Sequence, residues 1–359
     1  MIKLKTVFLM AALLANLMTR GYVSGDALNF EEMEIAAGSG REKAYVITID
    51  PASPEFTIKP VLSLDQVFGF ETLEEMAERS GAIAAINGGF FHSYGQPVGQ
   101  VVIDGEWITM PTGEDPVFFI DRRGRPRLLP VKARAYVEIN GERFYLDGLN
   151  RSGGSTEAVL YTHRYGSTTR QKPLGYNVII SENRVRGVVK GSFTEIPSGG
   201  KVLYIGEKSF LKNLILPKIK IDVPLKSGVA VDYPPGVSAE DMKNAFETGP
   251  YMIKDGKVTI KRWEKRIGLT TIPVARSAVG LSEDGRVIFV TVEGTGPGRG
   301  VSLQRLSAFL LGMGVRQAAA LDGGASATMY YGGRIVNRPS LGFPRPIGTG
   351  VVIKGRLWN

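Results

Sequence analysis

Along the chain the apolar positions fall in short runs, many alternating with polar residues, and this is the period of strands rather than of helices. Residues 45–49, 57–62, 98–103, 106–108 and 118–120 read as strands, and the unbroken apolar run at 82–86 as a buried one. Thr72 and Glu75 stand at capping-box spacing with Gly81 beyond them, predicting a short helix in between. Asp104-Gly105, Asn140-Gly141, Asp255-Gly256 and Asp284-Gly285 lie between apolar runs and predict hairpin turns. From 131 to 225, strand-like runs are broken by Asn140-Gly141, Glu182-Asn183 and Ser198-Gly199-Gly200, with a helix expected over 207–214. Ser238 and Asp241 predict a helix that Gly249-Pro250 ends. A strand over 286–293, an amphipathic helix over 302–311, a buried strand over 317–321 and closing strands at 328–331, 334–336 and 349–353 complete the chain. Hairpin-linked strands outnumber helices. The expected class is α+β: a mixed, largely antiparallel β-sheet core with few short helices, plus a β-rich insert over 131–225.

One apolar run does not belong to that core. Lys3 and Lys5 precede residues 7–18, and small residues follow at Ser24 and Gly25, so residues 1–25 are expected to be a signal peptide. The run is shorter than the roughly 20 residues that span a bilayer. An uncleaved anchor is the alternative, because Arg20 and Tyr22 sit in the cleavage region. No stable membrane span is expected beyond it, and the protein is expected to be extracytoplasmic: secreted, periplasmic or at the cell surface.

Composition narrows the chemistry. There are no cysteines and two histidines, His92 and His163, which excludes thiol nucleophiles, disulfides and three-histidine zinc sites. Hydrolysis then rests on carboxylates and arginines. The net charge of +9 is scattered without a Lys/Arg run, so no nucleic-acid partner is expected, whereas an anionic substrate is favoured.

Two places repeat one design. At AAINGGFF a buried strand delivers Asn87 to its tip, followed by Gly88 and Gly89; at ALDGGASAT another delivers Asp322, followed by Gly323 and Gly324, with Ser326 and Thr328 beyond. Paired glycines let a backbone approach a ligand and present amide donors. An acid at the end of an apolar strand has walls that tune its pKa. EGTGPGRGVS, 293–302, joins a strand to a helix through a glycine loop; its spacing lacks the dinucleotide fingerprint, but a substrate phosphate near the helix start is expected to suit it. Glu293 opens that loop and is a second candidate carboxylate. Arg276, Arg299, Arg338 and Arg345 offer guanidinium forks for phosphate. His92 is expected to pack rather than to act.

In order, INGGFF at 86–91, GQVV at 99–102, GP at 249–250, ARSAVG at 275–280, LDGGASAT at 321–328, VNRPS at 336–340 and RPIGTGVVI at 345–353 resemble the phosphodiester glycosidase family. The resemblance is strongest over about 240–355, with a second block at 82–108. It implies that 26–130 is the N-terminal part of the catalytic fold and 226–359 its C-terminal core. The chain departs from the family at Glu293, where many relatives carry Asp, at Ala325, where they carry a third Gly, and at Thr248-Gly249-Pro250, where Gly-Gly-Pro is common.

The resemblance implies cleavage between an anomeric carbon and a phosphate oxygen in a small-molecule or glycan phosphodiester. Asp322 is then expected to activate water or attack the anomeric carbon, with Glu293 second. Arg276 and Arg345, with Arg299 in the loop, are expected to hold phosphate. Asn87, Gly88, Gly89, Gly323, Gly324 and Ser326 are expected to position the sugar. No cofactor is required, and calcium or magnesium on the two carboxylates stays open. A non-catalytic anionic-glycan binding module and a metal-dependent phosphodiesterase are the alternatives. Oligomeric state is left open.

Overall fold

The computed structural model of the chain describes residues 20–24, 27–37, 40–172, 174–296 and 298–355. Residues 1–19 and 25 of the expected signal peptide lie outside them. Arg20–Ser24, within that segment, is an edge strand paired with Leu28–Ala37.

The largest sheet has eight strands, all paired antiparallel: Arg20–Ser24, Leu28–Ala37, Gly40–Ile49, Val287–Val292, Arg276–Ser282, Val315–Ala320, Tyr251–Lys254 and Lys257–Val258. Its middle strands are apolar on both faces, which explains their unbroken hydrophobic runs. One face (Val46, Ala278, Val290, Ala320) packs under the helix Leu303–Gly312 through Leu306 and Leu310. The other (Tyr45, Ile47, Val279, Phe289, Leu321) packs against two five-stranded sheets through Ile86, Val351, Phe118 and Phe246. The helix Leu73–Ser80 covers the far side of the sheet that carries Ala84–Asn87. The result is a helix–sheet–sheet–helix sandwich, in agreement with the expected α+β class.

Local signals produced the elements they promised. Thr72 and Glu75 form the capping box, and Gly81 closes the helix in the left-handed region at φ 63°. Asp104-Gly105, Asn140-Gly141 and Asp255-Gly256 take positive φ at both residues, as two-residue hairpins require. The stretch read as an insert pairs within itself as a five-stranded and a three-stranded sheet around its own core of Val137, Leu160, Val178 and Leu203, and its closing strand Leu225–Tyr233 runs on past residue 225. The expected helix over 207–214 is shorter and later, Leu211–Ile215.

The helix expected between Ser238 and Gly249 does not form. The capping box at Ser238 and Asp241 is present, but it starts only the 3-10 turn Ala239–Asp241. Ala245–Glu247 is instead a buried strand held between Val101–Ile103 and Pro116–Ile120. Burial between two strands outweighed a local start signal. Among the described residues no helix is long and apolar enough to cross a membrane.

Candidate functional site

The two glycine-flanked strand tips meet. Asn87 is 1% exposed. Its Nδ2 donates to the Asp322 carbonyl at 2.7 Å and to the Gly88 carbonyl at 3.3 Å, and its Oδ1 accepts from Ser277 Oγ at 2.7 Å and the Thr328 amide at 3.2 Å. The Asp322 amide returns a bond to the Gly88 carbonyl at 3.2 Å. Ser277 Oγ lies 3.2 Å from Thr291 Oγ1, its register partner on the next strand. A buried polar knot therefore ties the two sheets together where the strands end.

That knot corrects the expected role of Asn87. Both amide protons and both oxygen lone pairs are occupied by protein, so nothing is left for a sugar. Asn87 positions the Asp322 loop. Asn87→Ala would strand the Thr328 amide and the Asp322 carbonyl, at about 1–3 kcal/mol for each group left buried and unpaired, and would leave the Ser277 hydroxyl only Thr291. The urea midpoint should fall accordingly in the ligand-free protein; an unchanged midpoint would mean that the side chain serves substrate alone.

Three of the four glycine amides are occupied too. Gly88 donates to Thr349 O at 2.9 Å and Gly324 to Ala275 O at 2.8 Å, while Gly323 donates to the Asp322 carboxylate at 2.9 Å. A Cβ on Gly89 would sit 2.4 Å from Glu247 O, and one on Gly88 2.9 Å from Thr349 O. Gly88 and Gly89 are needed because backbones cross there.

Asp322 is half-buried. Burial pushes its carboxyl above the ordinary 3.8, against the pull of Ser326, the Gly323 amide and the Arg345 charge. The buried Ser326 hydroxyl reaches no partner at hydrogen-bonding geometry among the described residues. Arg345, half-buried, lies over the Phe91 ring with its guanidinium carbon 5.3 Å from the centroid.

Arg276 begins the strand beside Asp322's. It is 6% exposed and forms no ion pair among the described residues. It donates to Val301 O at 3.3 Å and Ile272 O at 3.0 Å, and burial pushes its pKa down to about 10. A Cβ on Gly323 would lie 3.8 Å from its Nη1, so the guanidinium braces the Asp322 loop. A buried cation without a counter-ion is costly unless an anion arrives.

Glu293 ends the strand on the other side of Arg276, two strands from Asp322 and so roughly 10 Å away at the backbone. Its Oε1 accepts from Tyr45 OH at 2.9 Å and from the Arg338 amide at 2.7 Å. It anchors the 338 loop and is less free than Asp322.

Two expectations fail. Arg299, exposed, pairs with the buried Glu42 at 2.8 Å, and Glu42 also accepts from the Gly300 amide; the arginine is neutralised by the strand Gly40–Ile49. At the helix start the Ser302 side chain accepts from the Arg305 amide, and the Leu303 amide donates to Thr270 O. That terminus is capped by protein, which removes the phosphate seat expected there. His92 is exposed and stacks on Tyr94 at 5.4 Å. Among the described residues no three acids or histidines gather as a metal-binding group.

The profile of the phosphodiester glycosidase family matches residues 175–354, half of the chain. The chain belongs to that family. It is similar to bovine N-acetylglucosamine-1-phosphodiester alpha-N-acetylglucosaminidase, 39% identical over 66 residues that cover 18% of this chain and 12% of that protein. The fold is that of a hypothetical protein from Synechocystis, with TM-score 0.77, 19% identity and 94% of this chain covered; the chain spans 64% of that structure's length. The catalytic domain of zebrafish N-acetylglucosamine-1-phosphodiester alpha-N-acetylglucosaminidase, auto-inhibited by its pro-peptide, gives TM-score 0.51 at 17% identity, covering 95% of this chain and 88% of that one.

In this member of the phosphodiester glycosidase family the matched region supplies Arg276, Glu293, Asp322 and Arg345, and Asn87 comes from outside it. Sequence reading passed over Ser277, Thr291 and Phe91. Ser277 and Thr291 are polar residues inside otherwise apolar strands, and that interruption was the available signal. It also passed over Glu247, 3% exposed and pushed up by burial, whose carboxylate accepts from Gln100 N at 3.1 Å and Thr112 N at 2.9 Å and meets Arg266 at 3.5 Å. It locks Gly99, at φ 96°, and the 112 loop behind Gly89.

Proposed function

We propose that this chain hydrolyses a sugar-1-phosphodiester at the bond between C1 and the phosphate oxygen, outside the cytoplasm, on a phosphorylated glycan or a cell-wall or exopolysaccharide component. The observation that carries the reading is a carboxyl raised by burial beside Arg345, on a loop braced by the buried Arg276, which has no carboxylate partner among the described residues. Phosphate is a good leaving group and needs charge neutralisation more than a strong acid. Arg345 and Arg276 supply it from fixed positions. Asp322, with its raised proton affinity, takes the proton from water or attacks C1 directly. Water's oxygen ends on C1, the C1–O bond breaks, and the bridging oxygen leaves with the phosphate. Ser326, buried beside Asp322, lowers that carboxyl against the effect of burial and so tunes it. A divalent ion between the two carboxylates would have Arg276 between its ligands, which opposes that arrangement.

Hydrolysis of a UDP-sugar or an aryl sugar-1-phosphodiester in ¹⁸O water tests the reading. The label is expected in the free sugar. Label in the phosphate would assign P–O cleavage and a phosphodiesterase. Saturable binding of both compounds without turnover would leave an anionic-glycan binding module.

A further inference from the structure

We propose a second binding site, for a saccharide bearing one carboxylate or phosphate, in the cavity between the strand Glu106–Thr109 and the strand-rich unit of residues 132–233. The cavity holds about 340 Å³, and none of its lining residues belongs to the Asp322 site. That volume falls within the roughly 300–1,000 Å³ of small-ligand sites.

Its composition is that of such a site. Trp107, Leu149 and Leu160 give apolar and aromatic wall, suited to the C–H face of a sugar ring. Lys201 supplies the polar end. It is half-buried, its Nζ donates to Ser227 Oγ at 2.7 Å, and it forms no ion pair among the described residues. Burial pushes the ammonium pKa down, partly offset by Glu106. Glu106 lines the same cavity but is taken by Arg164 at 2.8 Å, with His163 Nδ1 at 3.9 Å from its other oxygen. Lys201, Glu106 and Arg164 together carry one surplus positive charge. An ammonium held in an apolar-walled hollow, with its neighbouring carboxylate already neutralised, is the arrangement that selects a single anionic group. Gly105 and Gly199, both at positive φ, would point a Cβ into open space and so border the cavity without filling it.

Calorimetric titration of the full chain with glucuronate, glucose 6-phosphate and neutral glucose tests the site. At least one of the two acids should bind saturably, and glucose roughly tenfold more weakly or not at all. The preferred acid distinguishes carboxylate from phosphate. Lys201→Met should bring the acid down to the affinity of glucose; Lys201→Gln, which keeps a polar head without the charge, serves if the methionine variant fails to fold. The Asp322→Asn protein should bind with unchanged affinity. No saturable binding of either acid, equal binding of glucose, or an affinity unmoved by loss of the Lys201 charge would overturn the proposal. Loss of binding in Asp322→Asn would also overturn it, by placing the ligand in the other site. Turnover does not enter the readout, so the outcome is independent of whether the chain hydrolyses phosphodiesters.

Discussion

Asp322→Asn is expected to lower kcat on a sugar-1-phosphodiester by on the order of 10³-fold, within the range seen when a positioned acid or base is removed. The substitution keeps the shape of the site. The bond from Asn87 goes to the Asp322 backbone carbonyl, and the Gly323 amide can still donate to an amide oxygen. A large loss in a folded protein would therefore report the carboxylate itself, and near-native turnover would remove it from the chemistry.

The same variant should be more stable than the parent at neutral pH. Burial raises the Asp322 carboxyl above its ordinary 3.8, so the folded protein binds that proton more tightly than the unfolded chain does. The resulting contribution to stability is full below the unfolded value and is lost as pH rises through the folded one. Asparagine has no such dependence. The gap in urea midpoint between Asp322→Asn and the parent should be absent near pH 3, open above about pH 4 and level off once the folded carboxyl has ionised. A gap that stays constant with pH would show that the carboxyl is not strained by burial. Stability given up for a functional acid is a common trade.

Arg276→Met is expected to reduce kcat/KM by about 10²–10³-fold, the scale of losing one preorganised donor to developing charge. Stability should hold or rise, because the side chain removed is a buried cation with no carboxylate partner among the described residues. Arg276→Lys should recover little. An ammonium on a single stem cannot reach Val301 O and Ile272 O together while facing Gly323. Arg299→Ala is the contrast: Glu42 is left buried without its partner, so the protein should lose stability rather than turnover. If Arg276→Met kept full activity, or Arg299→Ala lost it, the assignment of the phosphate-side cation would be reversed. Steady-state kinetics with a urea melt on each variant separates the two cases.

What local chemistry dictates was legible in the chain. The hairpin turns followed from Asp-Gly and Asn-Gly pairs, whose backbones reach positive φ at little cost. The helix Leu73–Ser80 followed from one capping box and one glycine. Apolar runs ending in Asn87 or Asp322 marked two strand tips as special, and the ordered motifs named the family. Each of these rests on interactions between residues a few positions apart, so the sequence window contains both partners.

What depended on distant partners was decided by the tertiary structure. The bond between Asn87 and Asp322 crosses 235 residues, and that between Ser277 and Asn87 crosses 190. No local pattern says that Asn87 finds its four partners within the protein, or that Arg299 finds Glu42 while Arg276 finds no acid among the described residues. Nor does one say that Ala245–Glu247 is drawn between two strands although a capping box stands just before it. The chain fixed which residues sit at strand ends by propensity and burial period. Which of those ends face one another, and which charges are left without a partner, was set by how the sheets stack, because burial and pairing are properties of the assembled layers.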